Sequence, residues 1–239
     1  MFDKKYYLDL VTQDPINYNG LIIYQPSFMD IKQYGLENYD VLMYVHKLTL
    51  DCFGGVVSGD TNLFEDIILK DKGLTNCLTE SLYMFTKPEI IYLSSDNKYL
   101  KLVFNKNDHF IINADNFNDI SDILLKINAT QKIKIEKPPE NMSDRQKDVW
   151  KKLQEGRQRD ENKNELHLYD MLNICEFGGD YHIPISVIKD WSLWRIMNCY
   201  KTRVGWKGYC DNLQIALISH DDKNISGKNH WYQQLMIRE

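Results

Sequence analysis

The feature that most limits how this chain can fold is a long stretch with little to bury. Between Lys132 and Glu165 stand ten basic and eight acidic residues, with few apolar side chains beyond Val149, Trp150 and Leu153. Burial of apolar area drives folding at about 25 cal/mol per Å², so this stretch cannot carry a core of its own. Alternating Lys and Ile over Gln131–Glu140 leads into Pro138-Pro139, which breaks regular structure. Ser143-Asp144-Arg145-Gln146 then has the form of a capping box, so a charged helix is expected from there to about Arg159. Pairs such as Asp148 and Lys152 support it at i,i+4 spacing. A helix of this composition is solvated on most sides, or it bridges to a partner. The chain therefore divides into a mixed α/β module at 1–130, a charged hinge and helix at 131–164, and a helical, Trp-rich module at 165–239. The expected fold class is α+β.

In the first region, Tyr6–Val11 and Gly20–Gln25 are short β-branched or aromatic runs. Asp14-Pro15 and Asn19-Gly20 are turn signals between them, so two strands are expected. Pro26-Ser27 opens a helix to Tyr34, and Gly35 ends it. A second helix from about Glu37 to Leu50 repeats Val41, Leu42, Val45 and Leu48 at helical spacing. Glycine content makes Cys52–Gly59 a loop, and Thr61–Leu69 and Leu74–Phe85 read as helices, with Thr61 as an N-cap. Ile90–Leu93, Leu100–Phe104 and Phe110–Asn113, separated by short polar turns, predict an antiparallel meander. Asn116 or Asn118 caps a helix over Phe117–Ile127, whose Ile120, Ile123, Leu124 and Ile127 form one apolar stripe.

In the last region an amphipathic helix is expected over Glu165–Phe177, stopped by Gly178-Gly179. Pre-proline bias extends Ile183. Helices are expected at Val187–Tyr200, Gly208–Ser219 and His230–Ile237. Of the five Trp, four (Trp191, Trp194, Trp206 and Trp231) fall in this region. Asp190 would cap the first of its helices and put Trp191, Trp194 and Met197 on one face. That face is either a compact core or a docking surface, since Trp dominates interface hot spots. Core is the stronger choice for Trp194, and Trp191 fits either.

Charge and cysteine usage exclude several function classes. The formal net charge is −5, which disfavours binding to nucleic-acid phosphates. It is uneven: residues 1–130 carry a net −7 and residues 131–239 a net +2. The five cysteines are odd in number and lack CxxC spacing, so a reducing compartment is expected rather than a disulfide framework. The N-terminal MFDKKYYLDLVTQD lacks the apolar run of a signal peptide, and no run is long enough for a membrane span.

The same residues offer little chemistry. No two of the six His stand at i,i+4, so no metal site is expected. His220-Asp221-Asp222 with His230 is the one His/carboxylate cluster, and a solvated loop explains it better. Cys175 and His182 flank a Gly-Gly turn without a third group to orient them. Phe53-Gly54-Gly55-Val56-Val57-Ser58-Gly59 lacks P-loop spacing. The basic residues over Arg145–Arg159 are interleaved with acidic ones. No catalytic residue and no cofactor is expected.

Two segments carry a family resemblance. Asn17-Tyr18-Asn19-Gly20-Leu21-Ile22-Ile23-Tyr24-Gln25-Pro26, then Met29-Asp30-Ile31 and Gly35-Leu36-Glu37-Asn38-Tyr39, resemble the start of phage tail-morphogenesis proteins. These belong to phages infecting Gram-positive bacteria. The C-terminal Ile188-x-x-Trp191-Ser192-Leu193-Trp194-x-Ile196, the Tyr200, Lys201 and Arg203 that follow, and His230-Trp231-Tyr232 are similar to the same group. Together they cover about 90 of the 239 residues. The resemblance implies a non-enzymatic tail assembly chaperone that binds the long helical tape-measure protein or another tail component in the host cytoplasm. It implies no catalytic residues. The helices bearing Leu42 and Val45, and Trp191 and Trp194, are the candidate partner-binding faces, because a chaperone of this kind needs a groove for helices. The rival readings are a permanent subunit of the tail or baseplate, retained in the virion, and a small enzyme or host-directed effector with a dispersed site. Homo-oligomerisation stays open.

The organisation is testable directly. Limited proteolysis is expected to cut first within residues 132–164, where little apolar area holds the chain down. First cleavage within 52–59, with 132–164 intact, would show that the hinge is misplaced.

Overall fold

The structure, a computed structural model, describes residues 6–56, 61–135, 139, 141–163 and 167–219. Pro138, the His220-Asp221-Asp222/His230 cluster, the helix expected at His230–Ile237, Trp231 and Val57–Gly59 lie outside the described residues. The architecture is α+β, with a two-stranded and a three-stranded antiparallel sheet in the N-terminal half and helices in the C-terminal part.

The chain opens with a helix, α1 (Tyr7–Thr12), where a strand was expected. Its buried residues Tyr6 and Leu10 are four apart, and Leu8 between them is exposed, so the burial period is helical. An apolar run this short does not separate the two periods. Gln13 ends α1 in the left-handed region, and the hairpin β1 (Ile16–Tyr18) and β2 (Leu21–Ile23) follows. Its turn residues Asn19 and Gly20 have φ of 50° and 95°. Two positive φ angles in a two-residue loop match the right-handed twist of the paired strands. Pairing of Ile16 with Ile23 and of Tyr18 with Leu21 turns Ile16, Leu21 and Ile23 into the core.

Helix α2 (Phe28–Tyr34) starts at Ser27 with a reciprocal box: Ser27 Oγ accepts from the Asp30 N–H at 3.2 Å, and Asp30 Oδ2 accepts from the Ser27 N–H at 2.9 Å. Gly35, at φ 95°, ends α2 and starts α3 (Leu36–Lys47). Leu42, Val45 and Leu48 are buried as their spacing predicts, but Val41 faces solvent. Residues Leu50–Val56 form a 3-10 segment rather than an open loop. Leu63–Ile68 is a π-helical turn capped by Asn62, not Thr61: the Asn62 side-chain oxygen accepts from the N–H groups of Phe64 and Glu65. Helix α4 (Lys72–Thr86) is capped by Asp71.

The meander β3 (Ile90–Leu93), β4 (Leu100–Asn105) and β5 (Asp108–Ile112) has the expected order, with Leu100 opposite Ile112 and Leu102 opposite Phe110. Leu100, Leu102 and Ile112 face inward. Helix α5 (Phe117–Ile127) buries its whole predicted stripe. The Asn116 side chain ties the approach to α5, accepting from the Asn113 N–H and donating to the Ile111 carbonyl. Helices α3, α4 and α5 pack together and make the centre of the main core.

The charged helix α6 (Asp144–Lys163) begins where the capping-box pattern places it, and Ser143 N–H donates to Gln146 Oε1 at 2.8 Å. After α7 (Leu168–Phe177) come a short turn of helix, α8 (Ile185–Ile188), and the long α9 (Leu193–Ser219). Two corrections follow. Trp191 lies in the turn between α8 and α9, so it does not share a helix face with Trp194, and the residue before α9 is Ser192, whose Oγ accepts from the Arg195 N–H at 3.4 Å, rather than Asp190. The helices expected at Val187–Tyr200 and Gly208–Ser219 are largely one, because the intervening Gly205 and Gly208 cost only about 1 kcal/mol each and no proline intervenes. Thr202 Oγ1 donates to the Asn198 carbonyl across this join at 2.7 Å.

The C-terminal helices do not stand apart from the N-terminal core. Trp194 belongs to the main core, while Trp191 and Ile196 join Cys175 and Ile188 in a smaller one. The backbone clamps the two regions: Phe28 N–H donates to the Trp191 carbonyl at 2.8 Å and Met29 N–H to the Lys189 carbonyl at 3.1 Å. Gln13 accepts from the Ser192 N–H.

One buried group gives the core a pH dependence. His46 is enclosed, with Nδ1 3.0 Å from Ser121 Oγ and Nε2 2.8 Å from Ser81 Oγ. Burial alone pushes it down from 6.5 to about 3. The unfolded chain takes up the proton below about pH 6.5 and the folded chain does not, so stability is full above 6.5 and lost as pH falls towards 3. The slope from this group is about 1.4 kcal/mol per pH unit. Urea unfolding at pH 7 and at pH 5.5 is expected to show the lower midpoint in acid. Equal midpoints would mean that the ring is protonated within the fold.

Candidate functional site

The four side chains expected to receive a partner are used up inside the chain. Leu42 and Val45 lie in the interface of α3 with its neighbours, and Trp194 is 1% exposed. Trp191 is 9% exposed and carries the Arg195 guanidinium on its ring, 4.7 Å from the centroid. Their periodicity predicts burial correctly, and the chain itself supplies what covers them.

Two stretches of open apolar surface among the described residues lie elsewhere. The first is a groove of about 460 Å³ between α3 on one side and α7 and the start of α9 on the other. Leu36, Leu168, Met171, Leu172 and Met197 supply most of its apolar lining. Its polar edge holds Tyr39, whose hydroxyl donates to Asn128 Oδ1, and Asp40. Burial pushes the Tyr39 phenol far up, so it stays protonated and can only donate or accept hydrogen bonds. Asn128 is held in turn by Nδ2 donating to the Leu124 carbonyl at 2.8 Å. His167 at the mouth stacks on Tyr169, centroids 5.3 Å apart. The groove is an apolar concavity with a hydrogen-bonded polar pair at its edge.

The second is the apolar side of α6. Met142, Gln146, Val149, Trp150 and Leu153 surround one shallow depression. Val149 is 53% exposed and Leu153 58%, and α6 stands outside the network of closely packed elements. Along the same stretch of sequence Arg145, Lys147, Lys151, Lys152 and Arg157 alternate with Asp144, Asp148 and Glu155. A helix that is apolar on one side and solvated there has a side still to cover. The charge run drew attention to α6 in the sequence, and its three apolar residues, at i, i+1 and i+4, were the signal of this stripe.

Among the described residues no three His, Cys, Asp or Glu side chains are placed to hold a metal ion. His182 Nε2 meets Glu176 Oε1 at 3.4 Å, so its visible partner is a carboxylate and not Cys175. Among the described residues no helix is long and apolar enough to cross a membrane. Cys175 does meet a neighbour, Cys199, which sequence spacing could not reveal because the two lie on different helices. Comparison with known protein families, curated proteins and solved structures finds no match to this chain.

Core and surface assignments give opposite mutational outcomes. Trp194→Ala is expected to cost about 3–5 kcal/mol through lost burial and the cavity left behind. The double change Val149→Glu with Leu153→Glu is expected to leave stability within about 0.5 kcal/mol, as for other exposed sites. Chemical denaturation of both variants beside the parent checks this, and a large loss in the α6 variant would show that the stripe is already covered.

Proposed function

We propose that this chain is a non-enzymatic phage tail assembly protein that binds an unassembled helical tail component. The observation that carries the proposal is the apolar stripe of α6, with Val149 and Leu153 exposed and Trp150 half-buried, on a helix whose seven basic residues outnumber its five acidic ones. Its complement is an amphipathic helix with an apolar stripe and acidic flanks. Two such helices bury their stripes against each other, and the Lys and Arg flanks select the acidic partner by charge. The resemblance of 17–39 and 188–203 to tail-morphogenesis proteins supports the same reading. It names the partner class: a long helical protein such as the tape-measure, whose apolar stripes would aggregate in the host cytoplasm before the tail forms.

A chaperone and a tail subunit use the same contact but differ in what happens afterwards. A chaperone leaves when the tail polymerises over its client, whereas a tail or baseplate subunit stays. The test is co-expression with the long helical tail protein of the same phage, reading the client's soluble fraction and its co-purification with this chain. The parent is expected to keep the client soluble. Val149→Glu with Leu153→Glu is expected to weaken capture at least about tenfold, since two central apolar anchors are lost. Capture unaffected by that change would overturn the α6 assignment. Finding this chain in purified particles at fixed stoichiometry would replace the chaperone by the structural subunit.

A further inference from the structure

We propose that Cys175 and Cys199 form a reversible thiol–disulfide site, closed by a peroxide, that ties α7 to α9. This is independent of the tail-assembly reading. The two helices pack against each other, and Cys199 lies on the small core that Cys175 anchors. Cys175 is fully buried, and its Sγ is 3.3 Å from the Ile196 carbonyl, one helical turn before Cys199. Its thiol also lies within hydrogen-bonding reach of the Cys199 sulfur. Cys199 is only partly buried, so small oxidants reach it first.

The surroundings make Cys199 the attacking sulfur. Arg203 stands one turn further along α9, on the same face. Its guanidinium is pinned by the last turn of α7 and the loop that follows, with Nη1 donating to the Ile174 carbonyl at 3.3 Å and Nη2 to the Tyr181 carbonyl at 2.9 Å. Gly179 leaves room for it, since a Cβ there would meet Arg203 Cζ at 3.0 Å. Contact with Cys175, together with Arg203 and the more distant Arg195, favours the Cys199 thiolate and brings its pKa down. The same contact and burial push Cys175 up, so it holds its proton until Cys199 is oxidised.

The electrons balance with one hydrogen peroxide. The Cys199 thiolate attacks one peroxide oxygen, the O–O bond breaks, and hydroxide leaves to become water. The product is a sulfenic acid on Cys199. Cys175 then gives up its proton and attacks the Cys199 sulfur. The S–S bond forms, the S–O bond breaks, and a second water leaves. Two thiols are oxidised by two electrons in all, and the peroxide is reduced to two waters. A small thiol reverses the step by exchange through a mixed disulfide.

The test uses the reduced full-length chain, hydrogen peroxide at pH 7 and peptide mapping by mass spectrometry. The expected product is one Cys175–Cys199 linked peptide, lighter by two hydrogens and restored by dithiothreitol. Cys210, further along α9, is the internal control. Alkylation of Cys199 by iodoacetamide is expected to run faster than that of Cys210 at pH 7 and to reach its midpoint at a lower pH than an ordinary thiol. Arg203→Gln is expected to move that midpoint upward. Cys175→Ser is expected to leave a Cys199 sulfenic acid that dimedone traps. If that buried change fails to fold, Cys199→Ser serves instead, and the linked peptide should vanish. Three results would overturn the proposal: oxidation of Cys199 to sulfinic acid without a linked peptide, preferential oxidation of Cys52 or Cys210, or equal alkylation rates.

Discussion

The structure depends on how the turn before α9 is seated. Trp194 enters the core made by the α3, α4 and α5 helices, while Trp191, three residues earlier, closes the small core under α7 and α8. One short segment thus belongs to both. The backbone holds it there through the Trp191 and Lys189 carbonyls, which accept from the first N–H groups of α2. Helix starts have free N–H donors, and carbonyls from a distant turn satisfy two of them here. Helix α9 is positioned by that seat, including its wall of the groove and the face that carries Cys199.

The seat also separates two kinds of apolar surface. Leu42, Val45, Trp191 and Trp194 look like partner anchors by residue type, but the chain covers them itself. Once they are spent, the groove along α7 and the stripe of α6 are among the apolar surfaces that stay open. The α6 helix holds too few apolar residues to compete for the core, and it lies beside Pro139 in a segment of dense charge. Its exposure follows from that composition. A surface left over in this way costs the fold little and is free to be used by a partner.

Much of the local structure was legible in the residues. The meander, the α5 stripe and the start of α6 follow from strong periodicity or from a capping box, and each depends on neighbours a few residues away. The turn at Asn19-Gly20 is set by positive φ, which few other residue pairs accept so readily. Tyr6–Val11 was not legible, since six residues of mixed aromatic and β-branched type fit either period. Neither was the cap at Asn62, one residue past the expected Thr61, nor the unbroken course of α9 through Gly205 and Gly208.

The sequence by itself determined that this chain is α+β, that its middle cannot hold a core, and that Trp194 must find cover. Those are matters of composition and period, which act within a turn or two. Only the tertiary structure decided which surface stays open, that Trp191 leaves the helix of Trp194, and that Cys175 meets Cys199. These turn on contacts between elements distant along the chain, and packing them is a collective choice that no local spacing encodes. The same reason puts His46 between Ser81 and Ser121, residues from three separate helices that meet only when the core closes.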